Sequence, residues 1–218
     1  MNAAGYVLAG GRSSRMGSEK ALVEFAGEPL VVHALRTLRR AGLTASIAGA
    51  RSPLECFAPV VTDSEPDMGP LGGICAALAS SKARRAVFLP VDLPLLPSAL
   101  VTMLMHEAQD EGTAVTVAAV NGFTQTCPAV VDRAALPWLR SALESGRGGC
   151  FAAFQGAAEG LNKSMKVVPV ERALQEWESA LREALPVECW FLNVNAPADL
   201  LRAEASLAAS ARRPTVRG

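Results

Sequence analysis

A glycine-rich loop follows the first apolar segment of the chain and limits the folds that the chain can adopt. Residues 5–9 read Gly-Tyr-Val-Leu-Ala, which predicts a short buried strand. The loop overlaps the end of this strand and runs from Leu8 to Gly17, with Lys20 three residues further on. Loops at the carboxyl ends of strands bind ligands in open parallel sheets. The order of strand, glycine loop and helix therefore predicts an α/β fold with a ligand-binding edge.

The composition of this loop favours a polyphosphate ligand. Glycines let backbone N–H groups approach phosphate oxygens without a clash at Cβ. Three cations, Arg12, Arg15 and Lys20, lie within nine positions of one another. A P-loop is excluded because Gly17 is followed by Ser18 rather than by Lys, and the dinucleotide pattern G-x-G-x-x-G does not occur here. A plain strand–helix turn is the alternative that this pattern alone leaves open.

Two aspartates come directly after predicted strands and are expected at the same edge as the glycine loop. Val60–Thr62 predicts a short strand that ends at Asp63. Ala86–Val91 is a continuous apolar run, typical of a buried parallel strand, and it ends at Asp92. A carboxylate at the tip of a central strand is costly unless water or a metal solvates it. The spacing leaves open whether Asp92 binds a metal or caps the helix predicted over 97–111, and Asp63 has the same alternative of a cap.

Two further segments carry candidate site residues. Gly69–Gly73 opens a predicted helix, and its glycines permit close approach of a ligand to the positive end of the helix, tight packing on the sheet, or both. Asn193 and Asn195 follow a strand predicted over residues 188–192. These asparagines either complete a metal or substrate site or cap the final helix, predicted over residues 197–209.

The alternation of strands and helices loosens after residue 120. Gly146–Gly149 is a second glycine-rich segment, whose Arg147 either contacts the phosphate of a second substrate or belongs to a flexible connector. Gly156–Lys166 is interpreted as a mobile lid. The other predicted elements are helices at 29–42, 134–144 and 171–184, strands at 44–48, 113–120 and 125–131, and a turn at Asn121-Gly122. We expect one domain over residues 1–210, with a nucleotide-binding half at about 1–120, an acceptor half at 121–210 and a disordered tail at 211–218.

Composition excludes several classes of protein. The formal net charge of the 218 residues is zero, which argues against a nucleic-acid binder. No run of about 18 apolar residues and no signal pattern is present, so a cytoplasmic protein without a membrane segment is expected. Five cysteines without a C-x-x-C spacing argue against a zinc site and a disulfide framework, and Cys127 beside Pro128 is the most notable of them. Two histidines offer little material for a Ser-His or Cys-His nucleophile.

Four motifs together resemble one enzyme family. The first is Leu-Ala-Gly-Gly-x-Ser-x-Arg-Met-Gly-x-x-Lys, from Leu8 to Lys20, and the others are Gly69–Gly73, Pro90–Pro94 and Asn193–Pro197. In this order they resemble the Rossmann-like nucleotidyltransferases, and within them the molybdenum cofactor guanylyltransferase family, also called the molybdopterin-guanine dinucleotide biosynthesis protein A family. The resemblance implies a three-layer α/β fold with a mostly parallel central sheet.

The resemblance also implies the reaction and the roles of residues. The family transfers GMP from GTP to molybdopterin with Mg²⁺, giving molybdopterin guanine dinucleotide and pyrophosphate. The implied catalytic residues are Arg15, Lys20 and Asp92, and the implied nucleotide contacts are Leu8, Ala9, Gly10, Gly11, Lys20, Asp63, Gly72 and Asp92. Asp92 is the implied metal ligand, with Asn195 as a second candidate, and Asn193, Asn195 and Arg147 are candidates for the acceptor. Transient contact with molybdoenzyme maturation proteins is implied by the family alone.

One departure from the family pattern concerns the choice of base. Guanylyl enzymes carry Leu-Ala-Gly-Gly, as here, whereas the related cytidylyl enzymes usually carry Leu-Ala-Ala-Gly, and Gly10 leaves room for a purine. The family has an asparagine after the second strand where this chain has Ala50, or Gly49. The alternatives are a cytidylyltransferase of the same cofactor, another small phosphomonoester or sugar-1-phosphate nucleotidyltransferase, and a nucleotide-binding adaptor without activity.

Overall fold

A seven-stranded sheet lies at the centre of the computed structural model, which describes residues 2–9, 19–49, 53–62, 68–146, 149–171, 174, 177 and 185–211. The strands are β1 (Ala3–Leu8), β2 (Glu24–Phe25), β3 (Glu28–Pro29), β4 (Ala45–Ala48), β5 (Val60–Val61), β6 (Arg85–Pro90), β7 (Thr113–Val120), β8 (Phe123–Asp132) and β9 (Ser164–Pro169). The sheet has the order β5-β4-β1-β6-β8-β7-β9, and β2 pairs with β3 in a separate hairpin. In the described sheet only β8 runs against its neighbours, so the predicted, mostly parallel sheet is confirmed.

Helices cover both faces of this sheet. They are α1 (Leu30–Arg40), α2 (Gly69–Ser80), α3 (Ser98–Glu107), α4 (Leu136–Ser145), α5 (Cys150–Gly160), α6 (Val187–Trp190) and α7 (Pro197–Ala211). Side chains alternate between the two faces of each strand. Val7 and Val87 therefore pack with α1, α3, α6 and α7, whereas Tyr6 and Phe88 pack with α2, α4 and α5. These two cores confirm the three-layer α/β fold.

The described part of residues 1–120 follows the sequence pattern closely. Strand β6 is an apolar run that lies between β1 and β8, and residues 85–89 are buried. Helix α1 begins after Pro29, carries Arg39 and Arg40 in its last turn, and is followed by Gly42 at φ +81°. Cations in the last turn and a left-handed glycine just beyond it are typical of helix ends.

Strand β8 is antiparallel because a tight hairpin connects it to β7. Asn121 and Gly122 have φ values of +50° and +78°. Two positive φ values in a two-residue connection are the geometry of a type I′ turn, which Asn-Gly favours. The turn therefore fixes the direction of β8, as its sequence predicts.

The prediction of a mobile lid over Gly156–Lys166 is wrong. Its first part completes α5, and its last part belongs to β9, which pairs in parallel with β7. Lys163 and Lys166 in this segment bind carboxylates that are distant in sequence. Lys163 contacts Asp132 at 3.1 Å and Lys166 contacts Glu107 at 2.7 Å.

The prediction of a strand over residues 188–192 is also wrong. The segment forms the short helix α6, which begins after Pro186. The indole N–H of Trp190 donates a 2.5 Å hydrogen bond to the carbonyl oxygen of Leu185, and the Trp190 side chain is buried. The buried Trp190 therefore holds this segment in a helical turn instead of the expected extended strand.

The end of the chain differs from the prediction by one residue. Ala211 belongs to α7 rather than to the predicted tail, and residues 212–218 lie outside the described part. Most of the helix predicted over 171–184 also lies outside it. No helix in the described ranges is both long and apolar enough to cross a membrane.

Candidate active site

The candidate site lies at the carboxyl ends of β1 and β6, where these two parallel strands meet. The carbonyl oxygen of Leu8 accepts a 3.2 Å hydrogen bond from the N–H of Val91. The N–H of Ala9 donates a 3.0 Å hydrogen bond to the carbonyl oxygen of Ala48. Leu8 and Ala9 are thus held in the sheet immediately before the glycine loop, and Asp92 lies one residue beyond Val91.

Three predicted site residues meet at this edge. The ammonium of Lys20 donates to Oδ2 of Asp92 at 2.7 Å and to Oδ1 of Asn195 at 2.5 Å. Lys20 begins a 3₁₀ turn that ends at Leu22, and the buried Ala21 anchors this turn in the core. The side chains of Lys20 and Asp92 are only 18% and 20% exposed, so water screens their contact weakly.

Two backbone contacts orient Asn195. The N–H of Val194 donates to the carbonyl oxygen of Asp92 at 3.0 Å, which fixes the loop after α6 to the tip of β6. Oδ2 of Asp199 accepts from the N–H groups of Asn195 at 3.1 Å and Ala196 at 2.9 Å. Asp199 is the third residue of α7, and a side chain at this position that accepts from the N–H groups just before the helix forms half of a capping box.

Sequence reasoning did not identify Asp199 as a residue that supports the site. A signal was available, because Asp199 stands at the third position of a helix whose first residue is Pro197. That spacing predicts that the carboxylate bonds to the backbone just before the helix. The backbone there belongs to Asn195 and Ala196.

Asn193 makes a different contact from Asn195. Its side-chain amide donates to the carbonyl oxygen of Phe191 at 3.4 Å, within its own turn, and the residue is exposed. Asn195, two residues on, reaches Lys20. The structure therefore joins only the second of the two predicted asparagines to the Lys20–Asp92 pair, and a role of Asn193 toward an acceptor stays a prediction.

The glycines at the start of α2 pack closely on the sheet. Gly72 and Gly73 are both buried. A Cβ added at Gly73 would lie 3.4 Å from the backbone nitrogen of Gly49 and 3.5 Å from Cδ2 of Leu8. Gly73 therefore lies against the sheet at a distance where a Cβ would make ordinary van der Waals contact, and the nucleotide contact predicted for Gly72 stays a prediction.

Several predicted site residues lie outside the described part of the chain. They are Gly10, Gly11, Arg15, Asp63 and Arg147, together with Ala50, where the family pattern has asparagine. Their roles stay predictions of the sequence.

A thiol lies close to the carboxylate of Asp92. Cys127 and Cys150 carry free thiols and pack against the core formed by α2, α4 and α5. Burial raises the pKa of the Cys127 thiol strongly, and the neighbouring Cys150 and Asp92 raise it further. Burial also raises the pKa of Cys150. Both thiols are therefore protonated at neutral pH, which argues against a nucleophilic role, because the thiolate is the reactive form.

The described residues fit a magnesium ion that is shared with phosphate. No group of three or more His, Cys, Asp and Glu side chains in the described ranges is arranged to hold a metal. Asp92 and Asn195, however, present a carboxylate and an amide oxygen to one cation, the Lys20 ammonium. Magnesium is usually held by one or two carboxylates plus substrate phosphates, so this oxygen pair fits the ion once a triphosphate is present.

Comparison with known proteins supports an assignment to one family. The family model described as the MobA-like NTP transferase domain matches residues 5–160. The molybdenum cofactor guanylyltransferase of Xanthomonas euvesicatoria is 42% identical over 106 residues, which cover 48% of this chain and 54% of that protein. The chain thus matches about half the length of this relative. A protein of Pelotomaculum thermopropionicum, named probable molybdenum cofactor guanylyltransferase, is 30% identical over 205 residues, covering 93% of this chain and 92% of that protein.

A solved structure has a similar fold. Molybdopterin-guanine dinucleotide biosynthesis protein A from Archaeoglobus fulgidus matches with a TM-score of 0.73 and covers 94% of this chain and 98% of that one. The identity of the two sequences is 22%, so this comparison supports the fold alone.

Proposed function

The chain belongs to the MobA-like NTP transferase family, and we propose that it transfers GMP from GTP to molybdopterin, with release of pyrophosphate. The observation that carries this proposal is the contact of Lys20 with Asp92 and Asn195 at the edge where the glycine loop begins. A cation next to a carboxylate and an amide oxygen supplies what phosphoryl chemistry needs, namely a donor for phosphate oxygens and ligands for a metal.

The reaction needs little proton transfer. The attacking group is a phosphate monoester oxygen of molybdopterin, which is ionised at neutral pH. Its new bond to the α-phosphorus forms as the bond from that phosphorus to the bridging oxygen of pyrophosphate breaks. No strong general base is required, which agrees with the positions of the two histidines, His33 within α1 and His106 within α3.

The site residues act on the charge of the triphosphate. Lys20 donates hydrogen bonds to oxygens of the α-phosphoryl group and the leaving pyrophosphate, which stabilises the charge that develops there. Asp92 and Asn195 would hold Mg²⁺, which neutralises phosphate charge when it is bound. Asp199 and the backbone of Val194 keep Asn195 in place. Arg15, from the glycine loop, is the proposed second cation on the phosphates.

The proposal includes the choice of base and the division of the chain. Gly10 favours guanine over cytosine, and Leu8, Ala9, Gly11, Asp63 and Gly72 are the other proposed nucleotide contacts. Residues 121–210 would hold the acceptor, with Asn193 and Arg147 as candidates. The reaction is placed in the cytoplasm, and the family resemblance supports transfer of the product to molybdoenzyme maturation proteins.

A nucleotide titration with magnesium tests the proposal. Binding of GTP, CTP, ATP and UTP is measured by calorimetry, and GTP is expected to bind most tightly. Preference for CTP would support the cytidylyl alternative despite Gly10, and a protein that binds none of the four nucleotides would contradict the proposal. A GTP preference would also show that another group replaces the asparagine that is missing at Ala50.

A further inference from the structure

Lys20 occupies a position that is built for a cation. Its ammonium lies 2.7 Å from a carboxylate oxygen of Asp92 and 2.5 Å from the amide oxygen of Asn195. These are the same two oxygens that fit a magnesium ion. The position between these oxygens is thus taken by a cation that is a side chain of the protein.

Hydrogen bonds within the protein hold the backbone of both residues that supply these oxygens. The N–H of Val194 bonds to the carbonyl oxygen of Asp92, and Asp199 bonds to the N–H of Asn195. The side chains of Lys20 and Asp92 are 18% and 20% exposed, and Asn195 lies on the exposed side of the position. An ammonium that contacts a partly buried carboxylate is harder to displace than one in a fully exposed ion pair.

A divalent cation cannot share this position with the ammonium. Like charges a few ångströms apart repel strongly where water is scarce. The alternative for Lys20 is to leave Asp92, which requires other negative oxygens for its ammonium. A nucleoside triphosphate supplies such oxygens, and it also supplies the further ligands that magnesium needs.

We propose that Lys20 keeps divalent cations out of the empty site and releases Asp92 only when a nucleoside triphosphate binds. This role rests on the proposed function and adds an order of binding to it. The metal enters with the nucleotide or after it, and not before. Lys20 is then both the donor to the phosphates and the residue that prevents metal binding in the absence of nucleotide.

Binding of Mn²⁺, followed by electron paramagnetic resonance, tests this order. The wild-type protein is titrated with Mn²⁺ alone and with Mn²⁺ plus a non-hydrolysable GTP analogue. The variant Lys20→Met is titrated with Mn²⁺ alone, because Met has similar length and no charge. We expect weak binding to the free wild-type protein, at least about tenfold tighter binding to Lys20→Met, and loss of that gain when Asp92→Asn is added.

The chain offers a matched control in the pair of Lys166 and Glu107. Their ion pair has the same 2.7 Å length, but it lies elsewhere, with Lys166 39% exposed. Lys166→Met frees a carboxylate that has no preorganised amide oxygen beside it in the described contacts, so its Mn²⁺ binding is expected to equal that of wild type. Lys20→Gln is a second uncharged variant, and it should also bind Mn²⁺ more tightly than wild type does.

Three results would overturn the proposal. The first is wild-type protein that binds Mn²⁺ as tightly without the GTP analogue as with it. The second is a folded Lys20→Met or Lys20→Gln variant without any gain, and the third is an equal gain in Lys166→Met. If the wild-type protein still binds the analogue and still forms dinucleotide from GTP, any of these results removes only the role of Lys20 in metal exclusion. Failure of all nucleotide binding would instead contradict the proposed function.

Discussion

The backbone N–H of Val194 donates a 3.0 Å hydrogen bond to the carbonyl oxygen of Asp92. This contact joins the tip of β6 to the loop that precedes α7, two segments that are far apart in sequence. It brings the side chain of Asn195 beside that of Asp92, so that both reach Lys20. The candidate site therefore depends on the packing of the loop before α7 against the end of β6.

Asp92→Asn should lower turnover by about 100-fold or more, because it removes the negative charge that faces the metal and Lys20. The fold should persist, since the side chain lies at the edge of the sheet and Asn has nearly the same shape. Rates of pyrophosphate release and thermal melting followed by circular dichroism check the two parts. A variant with wild-type turnover in magnesium would remove Asp92 from the mechanism.

Lys20→Ala should lower kcat far more than Arg12→Ala does. The ammonium of Lys20 is the cation that contacts Asp92 and Asn195, whereas Arg12 is assigned no role on the α-phosphate. Steady-state kinetics on both variants, with Lys166→Ala as a control at a distant ion pair, make the comparison. Equal losses in Lys20→Ala and Arg12→Ala would show that the cations of the loop are wrongly assigned.

Asp199→Ala should lower both stability and activity. The loss of a helix-capping contact costs about 1 kcal/mol, which urea unfolding measures. The loss of the bond to the N–H of Asn195 should reduce kcat/KM by about tenfold, as expected for a residue that orients a ligand. Asp199→Asn keeps an acceptor oxygen and should retain most of the activity. Full activity in an Asp199→Ala variant that is measurably less stable would show that Asn195 needs no such support.

Asp132 should cause the free energy of unfolding to decrease at acidic pH. Burial raises the pKa of this carboxyl group, but the N–H of Ala134 and the ammonium of Lys163 lower it more, so the pKa lies below its usual 3.8. A carboxyl group whose pKa is lower in the folded than in the unfolded protein stabilises the fold at pH values above its unfolded pKa of 3.8. This stabilisation is lost as the pH falls below 3.8 and through the pKa of the folded state.

Urea unfolding at neutral pH and at about pH 3 checks this dependence. Asp132→Asn should be less stable than wild type at neutral pH by about 2 kcal/mol, because a buried charge-assisted hydrogen bond is lost. It should lose less stability than wild type on acidification. The same acid dependence in both proteins would assign the effect to other carboxyl groups.

The location of much of the site could be predicted because it follows from the geometry of a parallel sheet. Carboxyl ends of parallel strands meet at one edge, so a carboxylate after the apolar run of β6 had to lie near the loop after β1. The position of Asp92 could be predicted from the end of the apolar run alone, whereas its role as a metal ligand rests on the family resemblance and stays a prediction. The local sequence left open whether Asn195 caps the last helix or joins Asp92, and only the family resemblance paired the two residues. In the structure, α6 and the bond from Val194 bring Asn195 beside Asp92.

The errors arose where local sequence is ambiguous. The apolar run at Cys189–Leu192 fits a strand or a buried helical turn, and the bond from Trp190 to Leu185 decides for the helix. In the segment that leads into β9 and forms its first half, the charged side chains of Lys163 and Lys166 are as compatible with a solvated loop as with a strand. Their carboxylate partners lie on β8 and α3, and a reading of local sequence contains no information about such distant partners.

Direct detection of the product tests the central claim most directly. The protein is incubated with GTP, Mg²⁺ and molybdopterin, and both products are quantified by mass spectrometry and a pyrophosphate assay. The account predicts molybdopterin guanine dinucleotide and pyrophosphate in equal amounts, with little of either when CTP replaces GTP. Bound GTP without any dinucleotide, or dinucleotide formed equally well with CTP, would contradict it.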